Sequence, residues 1–291
     1  MLIDNIRIFH ETMKIAQKGR YLYDDREIVL KLTAEQMAQV EVFSRDRING
    51  VFSQVHPDES AGPAGKRIQT RVSACDSFEA AIRLSGGNMA AEHPKNRVLV
   101  LNFANALHPG GGVKSGERAQ EEDLCRKSTL YCSLTARDAE VMYQYNASLK
   151  NHLASDYMLL SPHVEILRDT KGKLLSETCL VSVLTAAAPR ITFGMGGLSE
   201  SELRKLLAKR IRAIFTVAAY GGYQKLVLGA WGCGAFGNDP DEMAPLFADE
   251  IEYWSASGTS PFKQIEFAVL KGSNRNSRNY VSFARQFSTQ D

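Results

Sequence analysis

Cysteine is sparse in this sequence and does not pair by spacing. There are five (Cys75, Cys125, Cys132, Cys179 and Cys233), an odd number with no CxxC. That argues against a disulfide scaffold or a zinc ribbon and leads us to expect reduced thiols in a cytoplasmic setting. Long apolar runs are missing too: none approaches the ~20 residues of a membrane span. The first residues, MLIDNIRIFHETMK, carry charge in every turn, so no secretory signal is expected there. Charge of one sign is lacking as well. Lys and Arg number 35 against 33 Asp and Glu, a formal +2, too even for a dedicated nucleic-acid binder. Glycine (22) and proline (9) are ordinary among 291 residues, so collagen-like and low-complexity chains are excluded. What remains is a chain 44% hydrophobic, long enough to bury a substantial core without staples.

Patterning divides the chain unequally. Residues 1–50 read as helical. Ile6, Phe9, Met13 and Ala16 recur at helical spacing before Gly19, and Thr33 with Gln36 has the spacing of a capping box. Residues 54–66, rich in Gly, Pro and Ser, read as a linker. Thereafter strands and helices alternate. Strands are expected at 67–73, 97–103, 164–168, 179–186, 225–229 and 265–270. Helices are expected at 78–84, 121–134, 136–149, 199–220, 241–254 and 280–286. The helix from Ser199 is the clearest, with a Ser199–Glu202 capping box and Gly221-Gly222 at its end. Such alternation predicts a layered α/β sandwich whose ligand site lies at strand ends.

Two glycine-dense segments each follow a buried strand. The first runs from Asn102 through Asn105, His108 and Gly110-Gly111-Gly112 to Gln120-Glu121-Glu122. Consecutive glycines let backbone amides approach a ligand closely. Adjacent glutamates cannot share one helix face, and like charges close together favour keeping a proton on one of them. Alone, either half more often serves a turn or a helix start. The second segment contains Gly232-Cys233-Gly234-Ala235-Phe236-Gly237, formally G-x-G-x-x-G after a strand. Only 54 residues follow it and no acidic residue ends the next strand, so a Rossmann domain is excluded while diphosphate binding is retained.

Other residues have blander readings. His108 before a proline shapes a loop, and Cys233 is a packing residue because thiolate activation needs a nearby cation. The cluster Arg204, Lys205, Lys209, Arg210 and Arg212 is the solvated side of a helix before it is a polyanion site. Tyr21, Tyr23, Trp231 and Trp254 are candidates for stacking, but each suits the core.

Together the two segments resemble a known family. Gly110-Gly-Gly112, seven residues and Gln120-Glu121-Glu122 match the GGG-x(6–8)-QEE signature of poly(ADP-ribose) glycohydrolases. The Trp231–Asp239 loop and the N-terminal arm ending at Gly19-Arg20-Tyr21 look like the microbial branch, and the likeness spans about residues 5–287. Val72-Ser-Ala-Cys-Asp76 falls at the family's adenine end, with Cys75 where macrodomains often carry Asn. The resemblance implies a macrodomain-like three-layer α/β/α sandwich with a mixed sheet. Residues 61–291 would form the catalytic domain, with 1–60 as a helical extension packed on it. It further implies Glu122 as catalytic acid/base and Glu121 as the residue positioning sugar hydroxyls. Gln120 would order the loop and Asn105 would contact the distal ribose. Gly110, Gly111, Gly112 and Gly232–Gly237 would lie around the ligand, the latter wrapping the diphosphate, with Phe236 against the ribose. No cofactor or metal is implied, since carboxylates can supply leaving-group protonation. The expected partners are poly(ADP-ribose) or ADP-ribosylated macromolecules, with ADP-ribose as product, no membrane, and a monomeric protein. A non-catalytic ADP-ribose reader and a hydrolase of another ADP-ribose linkage are the alternatives. The intact Gln-Glu-Glu disfavours the reader.

Overall fold

The apolar run Leu99–Phe103 (β5) lies at the centre of a seven-stranded mixed sheet in a computed structural model, which describes residues 2–56, 67–86, 96–149, 151–256, 260–272 and 274–287. The strand order is β3 (Glu41–Phe43), β6 (Met158–Arg168), β7 (Leu174–Ala186), β5, β8 (Lys225–Leu228), β9 (Gln264–Ala268) and β4 (Gln69–Ser73). Five strands from β7 to β4 pair in parallel, whereas β3–β6 and β6–β7 are antiparallel. Being buried on both faces, β5 shows continuous hydrophobicity rather than alternation.

Its side chains alternate between two cores. Leu99 and Leu101 join helices α3 (Arg45–Val55), α8 (Glu200–Tyr220), α9 (Pro240–Ala256) and α10 (Asn274–Phe287). Val98 and Val100 face α1 (Leu2–Lys18), α4 (Ser77–Ser85), α5 (Gln120–Lys127), α6 (Leu130–Leu134) and α7 (Glu140–Ser148). This is the expected α/β/α sandwich. Both capping boxes form, at Thr33–Gln36 on α2 (Ala34–Met37) and at Ser199–Glu202 on α8. No described helix is long and apolar enough to cross a membrane.

Several elements depart from the sequence expectation. Residues 1–50 are not all helical: Arg20–Tyr23 and Arg26–Val29 form an antiparallel hairpin (β1, β2), and Glu41–Phe43 is the edge strand of the main sheet. The N-terminal segment therefore completes the sheet as well as lying on it, and α1 packs beside α5. Of the candidate linker, 57–66 lie outside the described residues.

The single helix expected at 121–134 is two. Ser128 makes a bridge to Ile166, and Thr129 trades bonds with Glu165, so strand β6 pulls the chain out of helical register. The strands expected at 164–168 and 179–186 are the inner parts of a long hairpin. Ser161-Pro162-His163 and the polar stretch Ser176–Thr178 hid its full length, and a register shift falls between Ser161 and Val164.

Candidate active site

The parallel strands β4, β5, β8 and β9 end on one side of the sheet, and a cleft of about 510 Å³ opens there. Its walls follow those strand ends: Ala74–Ser77 after β4, Phe103 at the end of β5, Ala230–Gly232 and Gly234–Phe236 after β8, and Ala268–Leu270 at β9.

At the β5 end, Gln120 ties the first turn of α5 to the sheet. Its Oε1 accepts from the Phe103 amide (2.9 Å), and its Nε2 donates to the Leu101 carbonyl (2.8 Å) and Ser77 Oγ (3.1 Å). The amide side chain thus substitutes for the strand pairing that β5 loses where it ends, and it sets where the next two residues stand.

Those residues are buried glutamates with different surroundings. Glu121, 2% exposed, accepts from Asn102 Nδ2 (3.1 Å), from the Asn105 amide (2.7 Å) and from the Gly110 amide. Burial outweighs these donors and pushes its carboxyl up to about 8, with the nearby Glu122 charge adding to the rise. Glu122 Oε1 accepts from the Gly112 amide (2.9 Å), while its Oε2 is buried and has no partner among the described residues.

Gly111 explains the triple glycine. Its φ is +56°, and a Cβ there would stand 2.2 Å from Glu122 Oε1 and 3.2 Å from Glu121 Oε2. Only a residue with no side chain closes this loop over two carboxylates. Asn105 Oδ1 is occupied by the amides of Leu107 and His108, and His108 is exposed.

The loop after β8 is held from behind. Trp231 Nε1 donates to the Ala186 carbonyl (2.9 Å), and Asn238 Nδ2 donates to the Pro189 and Gly232 carbonyls. A Cβ on Gly232 (φ +77°) would meet Asn238 Nδ2 at 2.6 Å and Ala188 Cβ at 2.7 Å. Gly232, Gly234, Ala235 and Phe236 line the cleft, and the amides of Gly232, Ala235 and Phe236 have no acceptor among the described residues.

Cys233 and Gly237 do not line it, because their amides bond within the loop to Ala230 and Gly234. The Cys233 thiol is buried, which pushes it up and leaves it inert. Tyr21 and Trp254 are buried away from the cleft, bonding to Leu175 and Glu250. The basic cluster is largely paired: Arg210 and Lys209 with Asp156, Arg204 with Glu242, and Arg212 with Glu250.

Sequence reasoning missed several lining residues. Val269 and Leu270 end the strand candidate 265–270 and were legible by position. Asn279, Thr170 and Arg118 come from α10, the β6–β7 turn and the loop before α5, and carried no local signal.

A buried carboxylate pair under a glycine loop, beside a cleft with free amides, fits a macrodomain-like hydrolase. The comparisons with known proteins agree. The family described as "Microbial-type PARG, catalytic domain" matches residues 10–169, more than half of the chain. The crystal structure of poly(ADP-ribose) glycohydrolase from Thermomonospora curvata is 32% identical, with a TM-score of 0.85 over 98% of this chain and 99% of that one. The same enzyme bound to the inhibitor ADP-HPD gives a TM-score of 0.82 at 32% identity, again over 98% and 99%. The Deinococcus radiodurans enzyme in complex with ADP-ribose is 32% identical, with a TM-score of 0.75 over 89% of this chain and 98% of that one. No curated protein matches. The chain belongs to the microbial-type poly(ADP-ribose) glycohydrolases, a family of glycoside hydrolases.

Proposed function

We propose that this protein hydrolyses the ribose–ribose O-glycosidic bonds of poly(ADP-ribose) and releases ADP-ribose, with Glu122 as acid/base. The observation that carries the residue assignment is the Glu122 side chain. One oxygen is fixed by the Gly112 amide, and the other is buried without a partner among the described residues, which is costly unless a reacting group uses it.

Carrying a proton, Glu122 Oε2 gives it to the departing ribose hydroxyl oxygen as the glycosidic bond breaks. The sugar develops oxocarbenium character, and the resulting carboxylate then takes a proton from the water that attacks C1, restoring the acid. Glu121, held by Asn102 and the Asn105 and Gly110 amides, positions sugar hydroxyls. The free amides of Gly232, Ala235 and Phe236 face the diphosphate, and the Phe236 ring packs against the distal ribose. Asp76 and Cys75 line the adenine end. All of these groups come from one chain, so the site needs no residue from a second copy. Five cysteines without a disulfide support a reducing cytoplasm.

The test is to incubate the protein with poly(ADP-ribose), mono-ADP-ribosylated protein and ADP-ribosylated DNA, following release of ADP-ribose. Wild type is expected to act on the polymer. Glu122→Gln is expected to bind ADP-ribose but lose roughly 10²-fold or more in turnover. Near wild-type cleavage of polymer by Glu122→Gln would refute the assignment.

A further inference from the structure

A second cavity, of about 270 Å³, lies beside the main cleft and is roughly half its volume. The two share Arg118, Asp123, Lys127 and Thr170, so they are neighbouring rooms with a common wall. The annex is completed by Asn5 and Ile8 of α1, Arg126 of α5, and Lys171 and Gly172 at the tip of the β6–β7 hairpin.

Its walls are built rather than loose. Buried Arg168 anchors the hairpin tip by donating to the Gly172 carbonyl (2.9 Å), Thr12 Oγ1 (2.9 Å) and Glu11 (2.8 Å). Asp169 Oδ1 accepts the amides of Lys171 and Lys173, closing the turn. Asn5 Nδ2 holds the Gly116 carbonyl, fixing α1 beside the loop that carries Arg118.

The charge is one-sided. Four cations, Arg118, Arg126, Lys127 and Lys171, face a single lining carboxylate, Asp123. Asp123 and Asp76 are committed to Lys127, and Arg126 reaches Asp123 and the Glu117 carbonyl. Arg118 and Lys171 are exposed and pair with no carboxylate among the described residues. A chamber that shares a wall with the cleft thus presents two cations that pair with no carboxylate among the described residues.

We propose that this annex is a subsite for the diphosphate of an adjoining ADP-ribose unit, so that the protein grips the polymer across two units. The inference rests on the polymer being the substrate. Each polymer unit carries a diphosphate, and planar guanidinium and ammonium donors suit its oxygens.

The experiment measures binding, so that it stands apart from turnover. Free ADP-ribose, a two-unit oligomer and long polymer are titrated into Glu122→Gln protein with Lys171 intact, replaced by Glu, or replaced by Arg. Lys171 borders only the annex. Lys171→Glu is expected to weaken oligomer and polymer binding roughly tenfold, the size of one charge-assisted contact, with free ADP-ribose unaffected. The salt dependence of polymer binding should flatten by about 0.7 in log–log slope. Lys171→Arg should restore both. Polymer affinity and salt slope unchanged in Lys171→Glu would overturn the annex, as would parallel weakening of free ADP-ribose. A wild-type protein that cleaves nothing, yet shows the Lys171-dependent oligomer binding, would overturn the hydrolase reading and keep the annex.

Discussion

Replacing Gly111 by alanine tests whether the glycine loop holds the carboxylates in place or merely turns the chain. Two costs arise at this residue. Its φ of +56° lies in the left-handed region, where a side chain costs about 1–2 kcal/mol. A Cβ would also sit 2.2 Å from Glu122 Oε1, and retreating to 3.0 Å requires a shift of about 0.8 Å. That shift stretches the 2.9 Å bond from the Gly112 amide, a hydrogen bond of roughly 0.5–1.5 kcal/mol. The expected loss of stability is therefore about 1.5–3.5 kcal/mol, readable by denaturant unfolding. The catalytic effect is separate. A displacement of about 1 Å of a reacting group costs on the order of 10²-fold, so kcat on polymer should fall by about that factor in protein shown to be folded. Binding of free ADP-ribose, measured by calorimetry, should change far less, because Gly111 does not line the cleft. A stable Gly111→Ala protein with wild-type kcat would refute the argument, since Glu122 would then tolerate displacement.

Gly234 is the contrasting glycine. A Cβ there meets nothing within 4 Å, so Gly234→Val should fold at near wild-type stability while calorimetry shows ADP-ribose binding weakened by the side chain entering the cleft. Glu121 makes stability depend on pH. Its folded carboxyl is raised to about 8 from an ordinary 4.5, so the native protein holds more protons between those values. Its contribution is full below about 4.5 and is lost as pH rises through 8. Glu121→Gln should therefore flatten that decline, and urea unfolding at pH 6 and pH 9 checks it. Asp156 behaves oppositely. Burial opposes its charge, but Lys209, Arg210 and Arg45 hold its carboxyl down at about 2, so its contribution is present above about 3.8 and is lost as pH falls through 2. Asp156→Asn leaves buried Arg210 without its counter-charge and should cost about 3–5 kcal/mol at neutral pH in thermal or urea unfolding.

The sequence by itself determined the layered architecture, because buried parallel strands need continuous apolar runs such as Leu99–Phe103 and their crossover helices need amphipathic stripes such as Leu203 to Ala218. It also marked both site loops. Glycine density beside paired glutamates is a local property, and a spacing of seven residues between Gly112 and Gln120 is read without any fold. The N-terminal strands were hidden, since three- and four-residue strands with exposed polar positions carry no period of their own; Glu41–Phe43 is extended because β6 offers an edge. The split at Ser128 has the same cause, a bridge to a strand some forty residues away in sequence. Only the tertiary structure decided how each glutamate is held. Sequence places the two side by side, and what separates them is which donors the loop brings to each: Asn102 and the Asn105 amide to Glu121, the Gly112 amide to Glu122. It also decided that Arg210 is a buried anchor and Lys171 an uncommitted cation. A charge's role depends on what it meets across the fold, which spacing along the chain does not record.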